Sequence, residues 1–387
     1  MSKSGQLNLW QYFAIEGIAS FACTIFQQGI YFWAATRHAF TATESLLLGA
    51  TQGLGYTAAS LIGGRIAGRF GYDRALQFTM IGTAAITLSL WRWGWHGAPF
   101  LLMGVFISLT GPFWPSTEAN VMHARSTIHA PRRIGIYNIT WATLGALGFF
   151  ACGFLVKRNI DSIIWLPGVI MGLLVLFYAG RKRAHGDAHA PTLAPAANAS
   201  LDRLTRRRFM HLHWLCNSLA YFAMMGFVAL LPHIGERLGL SQSGVIWLTC
   251  SFQFSRAAAF VVLMLWEGWH YRASWSIAGL YASPVCIAIM LFSAAPAVVL
   301  AACILFGFVL GLAYFGSLYY SLNYGENKGE HGGLHEAILG SGILFGPLAG
   351  AGGAAIGGAS GASWVIVIAA TVLSAIGLVV VNRINRA

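Results

Sequence analysis

Glu16, Glu118, Arg256, His335 and Glu336 are ionisable residues set inside long apolar stretches of a 387-residue chain that carries only 12 acidic and 24 basic side chains. In a hydrocarbon setting such a group is costly unless it is paired or faces water, so each one is a candidate for function. A carboxylate in a partly dry cavity can load a proton from one side and release it to the other as its access changes. Glu118 and Glu336 are therefore candidates for coupling movement of a solute to a proton gradient. Arg256 has two readings: its planar guanidinium can hold an anionic group of a solute, or it can be the counter-charge of one of the carboxylates. For all five the competing reading is a structural ion pair or a contact with lipid headgroups.

Uncharged residues in the same stretches complete a candidate lining. They are Gln27, Gln28, Trp114, Asn138, Trp141, Asn217, Tyr221, Gln253, Tyr319, Tyr320 and Asn323. Aromatic faces beside a few hydrogen-bonding groups suit an organic solute with apolar and polar parts. Other aromatics, notably Trp91, Trp93 and Trp95, fit an interfacial belt.

His331 and His335 stand four apart beside Glu330 and Glu336, and His211 and His213 stand close together, which raises the question of a metal. Gly332 and Gly333 intervene, no cysteine lies nearby and the methionines have no regular spacing, so no metal site is expected. No phosphate-cradling glycine loop ends in Lys-Ser or Lys-Thr, and no nucleophile stands with a base and an orienting acid. The chain is expected to be no enzyme, to need no cofactor and to draw its energy from a gradient.

The elements that position these residues follow from composition. With 57% apolar and 9% charged residues, a soluble fold of this length lacks the polar surface to face water on all sides. A span needs roughly 20 mainly apolar residues, and windows of that length recur along the chain. Twelve helical spans are expected, at about 10–36, 44–67, 75–93, 98–122, 133–156, 160–180, 209–233, 241–266, 273–293, 296–324, 333–358 and 361–382. The first has no A-x-A-like cleavage site after it and reads as a retained span. Cys23, Cys152, Cys216, Cys250, Cys286 and Cys303 stand singly in apolar windows and read as free thiols.

The net charge of +12 does not point to nucleic acid, because the basic residues sit in the joints between spans and not on a folded polar face. Of the 24 cations, 18 fall on one side of this topology, 5 on the other, and Arg256 lies within a span. Lys and Arg resist transfer across the bilayer, so both termini are expected in the cytoplasm and the protein in the cytoplasmic (inner) membrane.

The one long polar segment, 181–208, reads as a cytoplasmic linker between a six-helix bundle at 1–180 and another at 209–387. Shifting the chain by about 198 to 201 residues aligns these halves. Phe70 to Arg74 falls on Gly268 to Arg272, Gly111 on Gly311, Tyr137 and Asn138 on His335 and Glu336, and Gly148 on Gly346. Two similar bundles that rock about a midplane site are a physical solution to alternating access, so the duplication points to transport.

The joint after the second span reads Gly64-Arg65-Ile-Ala-Gly68-Arg69-Phe-Gly71-Tyr72-Asp73-Arg74. It resembles the G-x-x-x-D-R-x-G-R-R loop of the major facilitator superfamily, with Gly68 at the usual aspartate and Tyr72 and Asp73 at two usually basic positions. Tyr137-Asn138-x-x-Trp141 and Gly346-Pro347-x-x-Gly350-x-Gly352-Gly353 are also similar to sequences of that superfamily. The resemblance implies an all-α membrane fold of twelve transmembrane helices in two pseudo-symmetric six-helix bundles. It also implies that helices 1, 4, 7 and 10 line a central cavity with 2, 5, 8 and 11 beside them, and that Gly64, Arg65, Arg69, Gly71, Asp73 and Arg74 form a gating loop. On that fold Glu16, Glu118 and Glu336 fall in the cytoplasmic third and Arg256 near mid-span.

The expected function is secondary active transport of a small organic solute by a monomer in contact with membrane lipid, with protons as a candidate coupling ion. The alternatives on the same fold are a non-transporting receptor or assembly factor, and a lipid translocase.

Overall fold

A computed structural model describes residues 7–124, 126, 128, 130–179, 203–323 and 328–386. Residues 181–202 of the expected linker, and the side chains of Asn323, Glu330 and His331, lie outside the described residues. Among the described residues every regular element is helical. The helices are α1 (Leu9–Arg37), α2 (Ala42–Phe70), α3 (Tyr72–Leu90), α4 (Ala98–Thr110), α5 (Phe113–His123), α6 (Ala130–Arg158), α7 (Ser162–Ala179) and α8 (Arg203–Leu230). They continue with α9 (Gly235–Leu238), α10 (Gln242–Thr249), α11 (Ser251–Leu265), α12 (Ala273–Phe292), α13 (Pro296–Asn323) and α14 (Lys328–Arg386).

Local chemistry sets the boundaries. Asn8 accepts from the Gln11 N–H while the Gln11 side chain accepts from the Asn8 N–H, which satisfies free donors at the start of α1. Thr41 and Glu44 do the same for α2. The expected span 98–122 is two helices meeting at Gly111-Pro112, because proline lacks the N–H that would continue the ladder. The expected spans 333–358 and 361–382 run together as α14, broken where Gly358 takes φ +59, a conformation that other residues reach only with strain.

Nine helices among the described residues are long and apolar enough to cross a membrane. They are α1, α4 continued into α5, α6, α7, α8, α10 continued into α11, α12, α13 and α14. α2 and α3 form where spans were expected but are less apolar, since α2 carries Glu44, Gln52, Arg65 and Arg69 and α3 carries Asp73, Arg74 and Gln77. The α3 threonines satisfy themselves on carbonyls: Thr83 Oγ1 donates to Thr79 O and Thr87 Oγ1 to Thr83 O, each at 2.7 Å. Such internal bonding is what a hydrocarbon setting requires of polar groups.

The packing pairs recur. α1 lies on α6, α2 on α4 and α3 on α7; later in the chain α8 lies on α14, α11 on α13 and α12 on α14. Two close approaches repeat at positions that the sequence shift aligns. A Cβ on Gly148 would stand 2.5 Å from the Phe21 carbonyl oxygen, and one on Gly346 would overlap the Phe222 carbonyl oxygen. A Cβ on Gly111 would overlap Ala59 Cβ, and one on Gly311 would stand 2.6 Å from Ala259 Cβ. Between the early and late helices, α2 packs along the first part of α14 and α6 along α10 and α11.

Arg133, expected as a loop cation, is only 9% exposed and closes the end of α5. Its guanidinium donates to the carbonyls of Val121, Met122, Ala124, Ser126 and Ile128 at 2.7 to 3.3 Å. The last carbonyls of a helix have no partner within it, so a planar fork of five donors satisfies several at once. Arg133→Ala is expected to cost about 2 to 3 kcal/mol, read as a lower melting temperature in detergent. A lysine would restore charge without the fork and recover little; an unchanged melt for the alanine variant would contradict this role.

Candidate functional site

The candidate residues converge where the early helices meet the late ones. α1 brings Glu16, α2 Tyr56, α5 Glu118, and α6 Tyr137, Asn138 and Trp141; facing them, α8 brings Tyr221, α11 Arg256 and Phe260, α13 Tyr314 and Ser317, and α14 His335 and Glu336. The Tyr137 hydroxyl is within electrostatic reach of Glu16, Glu118 and Glu336, so the three carboxylates lie in one neighbourhood.

Each carboxylate has its own neighbours. Glu336 accepts a hydrogen bond from the Tyr56 hydroxyl, and its other oxygen lies 3.7 Å from His335 Nε2. Glu16, fully buried, accepts from the Ser20 hydroxyl at 3.3 Å. Glu118 is half-buried and within electrostatic reach of Glu336. His335 is fully buried, with Nδ1 2.7 Å from the Ser317 hydroxyl.

Arg256 stands apart from them. Its guanidinium carbon lies 4.7 Å from the centroid of the Trp141 ring, which Trp141 holds in place by donating its Nε1–H to Asn138 Oδ1 at 2.9 Å. Its polar neighbours are the Tyr221 and Tyr314 hydroxyls. Rings enclose the position: Trp141 meets Phe260 at 5.6 Å and Tyr314 at 5.3 Å, and Tyr221 meets Tyr314 at 6.3 Å. The guanidinium therefore sits over an aromatic face, an attraction that grows as water is excluded.

Several buried polar atoms here find no hydrogen-bond partner among the described residues. They include Asn138 Nδ2, both side-chain polar atoms of Asn217, Gln253 Oε1 and Arg256 Nε. Buried polar groups are ordinarily satisfied, so this concentration marks a place built for water or solute.

Other sequence candidates stand elsewhere. Gln27 and Gln28 lie roughly three turns along α1 from Glu16, with Gln28 buried and its Oε1 without a protein partner. Tyr319 stacks on His270 at 4.3 Å, and Tyr320 accepts from the Tyr271 N–H at 2.8 Å. Both belong to an aromatic cluster with Trp269, Phe209 and Met210. Asn323 lies at the end of α13, its side chain outside the described residues. His213, weighed for a metal, faces Ser276 at 3.2 Å, and no group of three His, Cys, Asp or Glu is placed to hold a metal among the described residues.

In the expected gating loop, Gly71 makes the α2–α3 turn with φ +92, and Gly64, Arg65, Arg69 and Arg74 are exposed. Asp73 accepts a 2.5 Å hydrogen bond from the Tyr178 hydroxyl at the end of α7. It is thus tied to a neighbouring helix and makes no ion pair with these arginines among the described residues.

Tyr56, Tyr137, Tyr314, Phe260 and Ser317 were not chosen as site residues from sequence. The internal shift carried a signal for three of them: moved by about 200 positions, Arg256 falls on Tyr56, Trp114 falls on Tyr314, and Tyr137 falls on His335. Phe260 and Ser317 have ordinary span composition and gave no signal.

This is a multi-pass, all-helical integral membrane protein. The family model of the Major Facilitator Superfamily matches residues 13–347, and the chain belongs to that family of transporters. Solved structures agree in fold. A POT family transporter in complex with 5-aminolevulinic acid superposes with a TM-score of 0.75 at 13% identity, over 97% of this chain and 96% of that one. The nucleoside transporter NupG superposes at 0.69 with 11% identity, over 98% and 99%. The human organic anion transporter MFSD10 (TETRAN) superposes at 0.64 with 15% identity, over 97% and 98%. Among curated proteins none matches the chain.

Proposed function

We propose that the chain is a secondary active transporter of a small organic solute that works by alternating access, with protons carried by Glu336 or Glu118. The observation that carries this reading is the chamber where early and late helices meet, lined by three carboxylates, one arginine and unpartnered amides. Polar groups inside a membrane protein are costly, and their convergence between helices from two parts of the chain is how transporters place a binding site.

The architecture in this reading is twelve spanning helices in two six-helix bundles joined by the linker at 181–208. Counting α14 as two helices at its glycine break, and adding α2 and α3 to the other eight spans, supports that number. The recurring contacts at Gly148 and Gly346, and at Gly111 and Gly311, support equivalent halves. The cation asymmetry supports cytoplasmic termini and an inner-membrane location. The solved relatives are named for nucleosides, peptides and organic anions, which supports a small organic substrate.

The test is counterflow and uptake by purified protein in liposomes across a panel of labelled small organic solutes, with and without a pH gradient. Solute exchange, with accumulation that a protonophore collapses, is expected. Exchange that ignores the gradient would remove proton coupling. Absence of any exchange would favour a receptor or assembly role, and movement of headgroup-labelled lipid would favour a translocase.

A further inference from the structure

We infer that the solute is an organic anion whose carboxylate-like group pairs with Arg256 while its apolar body lies against Trp141, Phe260 and Tyr314; this rests on the transport chamber proposed above. Arg256 is 5% exposed, and no carboxylate pairs with it among the described residues, although three share the chamber. Two of those carboxylates are held by other groups, Glu336 by Tyr56 and Glu16 by Ser20, and Glu118 makes no ion pair with Arg256. Of the two roles open to Arg256, counter-charge and solute ligand, the geometry favours the second.

Its surroundings are arranged for that role. A buried cation with no anion is unstable; stacking on Trp141 steadies one face of the guanidinium, and the Tyr221 hydroxyl is a hydrogen-bond partner at its edge. Nε has no partner, and Gln253, three residues earlier on the same face of α11, has an unpartnered Oε1. A guanidinium edge beside an amide suits the two oxygens of a carboxylate together with a neighbouring donor on the solute. The Tyr221 and Tyr314 hydroxyls lie within electrostatic reach of both Arg256 and Glu336, so they bridge the anion position and the proton-carrying side. The adjoining walls are aromatic, which sets the apolar body.

The experiment measures thermal stabilisation of the purified protein by a panel of aromatic and aliphatic monocarboxylates, their isosteric primary amides and the corresponding amines. Stabilising compounds are expected among the carboxylates alone, with at least a tenfold weaker midpoint in Arg256→Gln and a near-normal one in Gly352→Leu, at a position outside the site with nothing within 4 Å of its Cβ. Arg256→Lys, which keeps charge without the fork, is expected to recover only part of the binding. Stabilisation by the amides or amines, no stabilisation by any carboxylate, or carboxylate binding unchanged in folded Arg256→Gln would overturn the inference. If Arg256→Gln does not fold, the carboxylate preference of the wild type and the response of Arg256→Lys decide it. Carboxylate binding without passage into liposomes would sink the transport reading and leave the anion site standing.

Discussion

Replacing Glu336 by Gln is expected to abolish accumulation of solute against its gradient while sparing counterflow exchange. Glutamine keeps the volume of the side chain and an oxygen to accept from the Tyr56 hydroxyl, so the junction of α2 with α14 is retained. It has no carboxyl proton to carry. Exchange needs only binding and reorientation of the loaded protein, whereas accumulation needs a proton on each cycle. One pH unit is worth about tenfold in concentration for each proton coupled. The wild type is expected to approach that ratio and the variant to stay at equilibrium. Glu118→Gln separates the two carboxylates, because the coupling group loses accumulation alone. Equal loss of accumulation and exchange in Glu336→Gln would argue that Glu336 serves binding or structure.

Gly346→Leu is expected to have the largest effect on stability. Even a single Cβ at this position overlaps the Phe222 carbonyl oxygen, so α8 and α14 meet backbone to backbone. Main chain cannot rotate away as a side chain can, and both helices are pinned by packing along their length. The cost should reach or exceed the 1 to 3 kcal/mol of ordinary overpacking, about enough to prevent assembly of a marginally stable protein. Recovery of folded, monodisperse protein is expected to fall sharply, with the same outcome for Gly148→Leu against Phe21. Gly352, which has nothing within 4 Å of its Cβ position, is the control, and its leucine variant should behave as wild type. A normal melt for Gly346→Leu would contradict the close approach.

Much of the fold was legible because lipid imposes a simple rule on sequence: a span is a long apolar run with its polar groups satisfied internally. The breaks were harder. Gly111-Pro112 and Gly357-Gly358 sit in apolar sequence, and only the second coincided with an expected boundary between spans. The helices α2 and α3 were read from the same apolar windows, although their charge content weakens the signal that hydropathy supplies.

The site was legible where charge made it so. Glu16, Glu118, Arg256, His335 and Glu336 became candidates because ionisable groups are rare in such sequence, and Tyr137 stands within electrostatic reach of the three carboxylates. Aromatic residues gave no comparable signal, since composition does not separate Tyr319 and Tyr320, which pack with Trp269, from Tyr314, which meets Trp141 beside Arg256. The internal repeat holds information that composition lacks. It aligns Arg256 with Tyr56, Tyr137 with His335 and Asn138 with Glu336, residues of different chemistry at matched positions. Arg133 was misplaced for a physical reason: its role is to cap carbonyls of a helix end that appears only once α5 stops at His123.

The most direct measurement places one cysteine in the chamber, Tyr221→Cys in a chain whose six native cysteines are replaced, and follows its reaction with a membrane-impermeant thiol reagent added to either face of sealed liposomes. Alternating access predicts labelling from both faces, slowed on each by conditions that hold the other side open. Labelling from one face alone under every condition, or only by a lipid-soluble reagent, would contradict a water-filled space opened in turn by two rocking bundles.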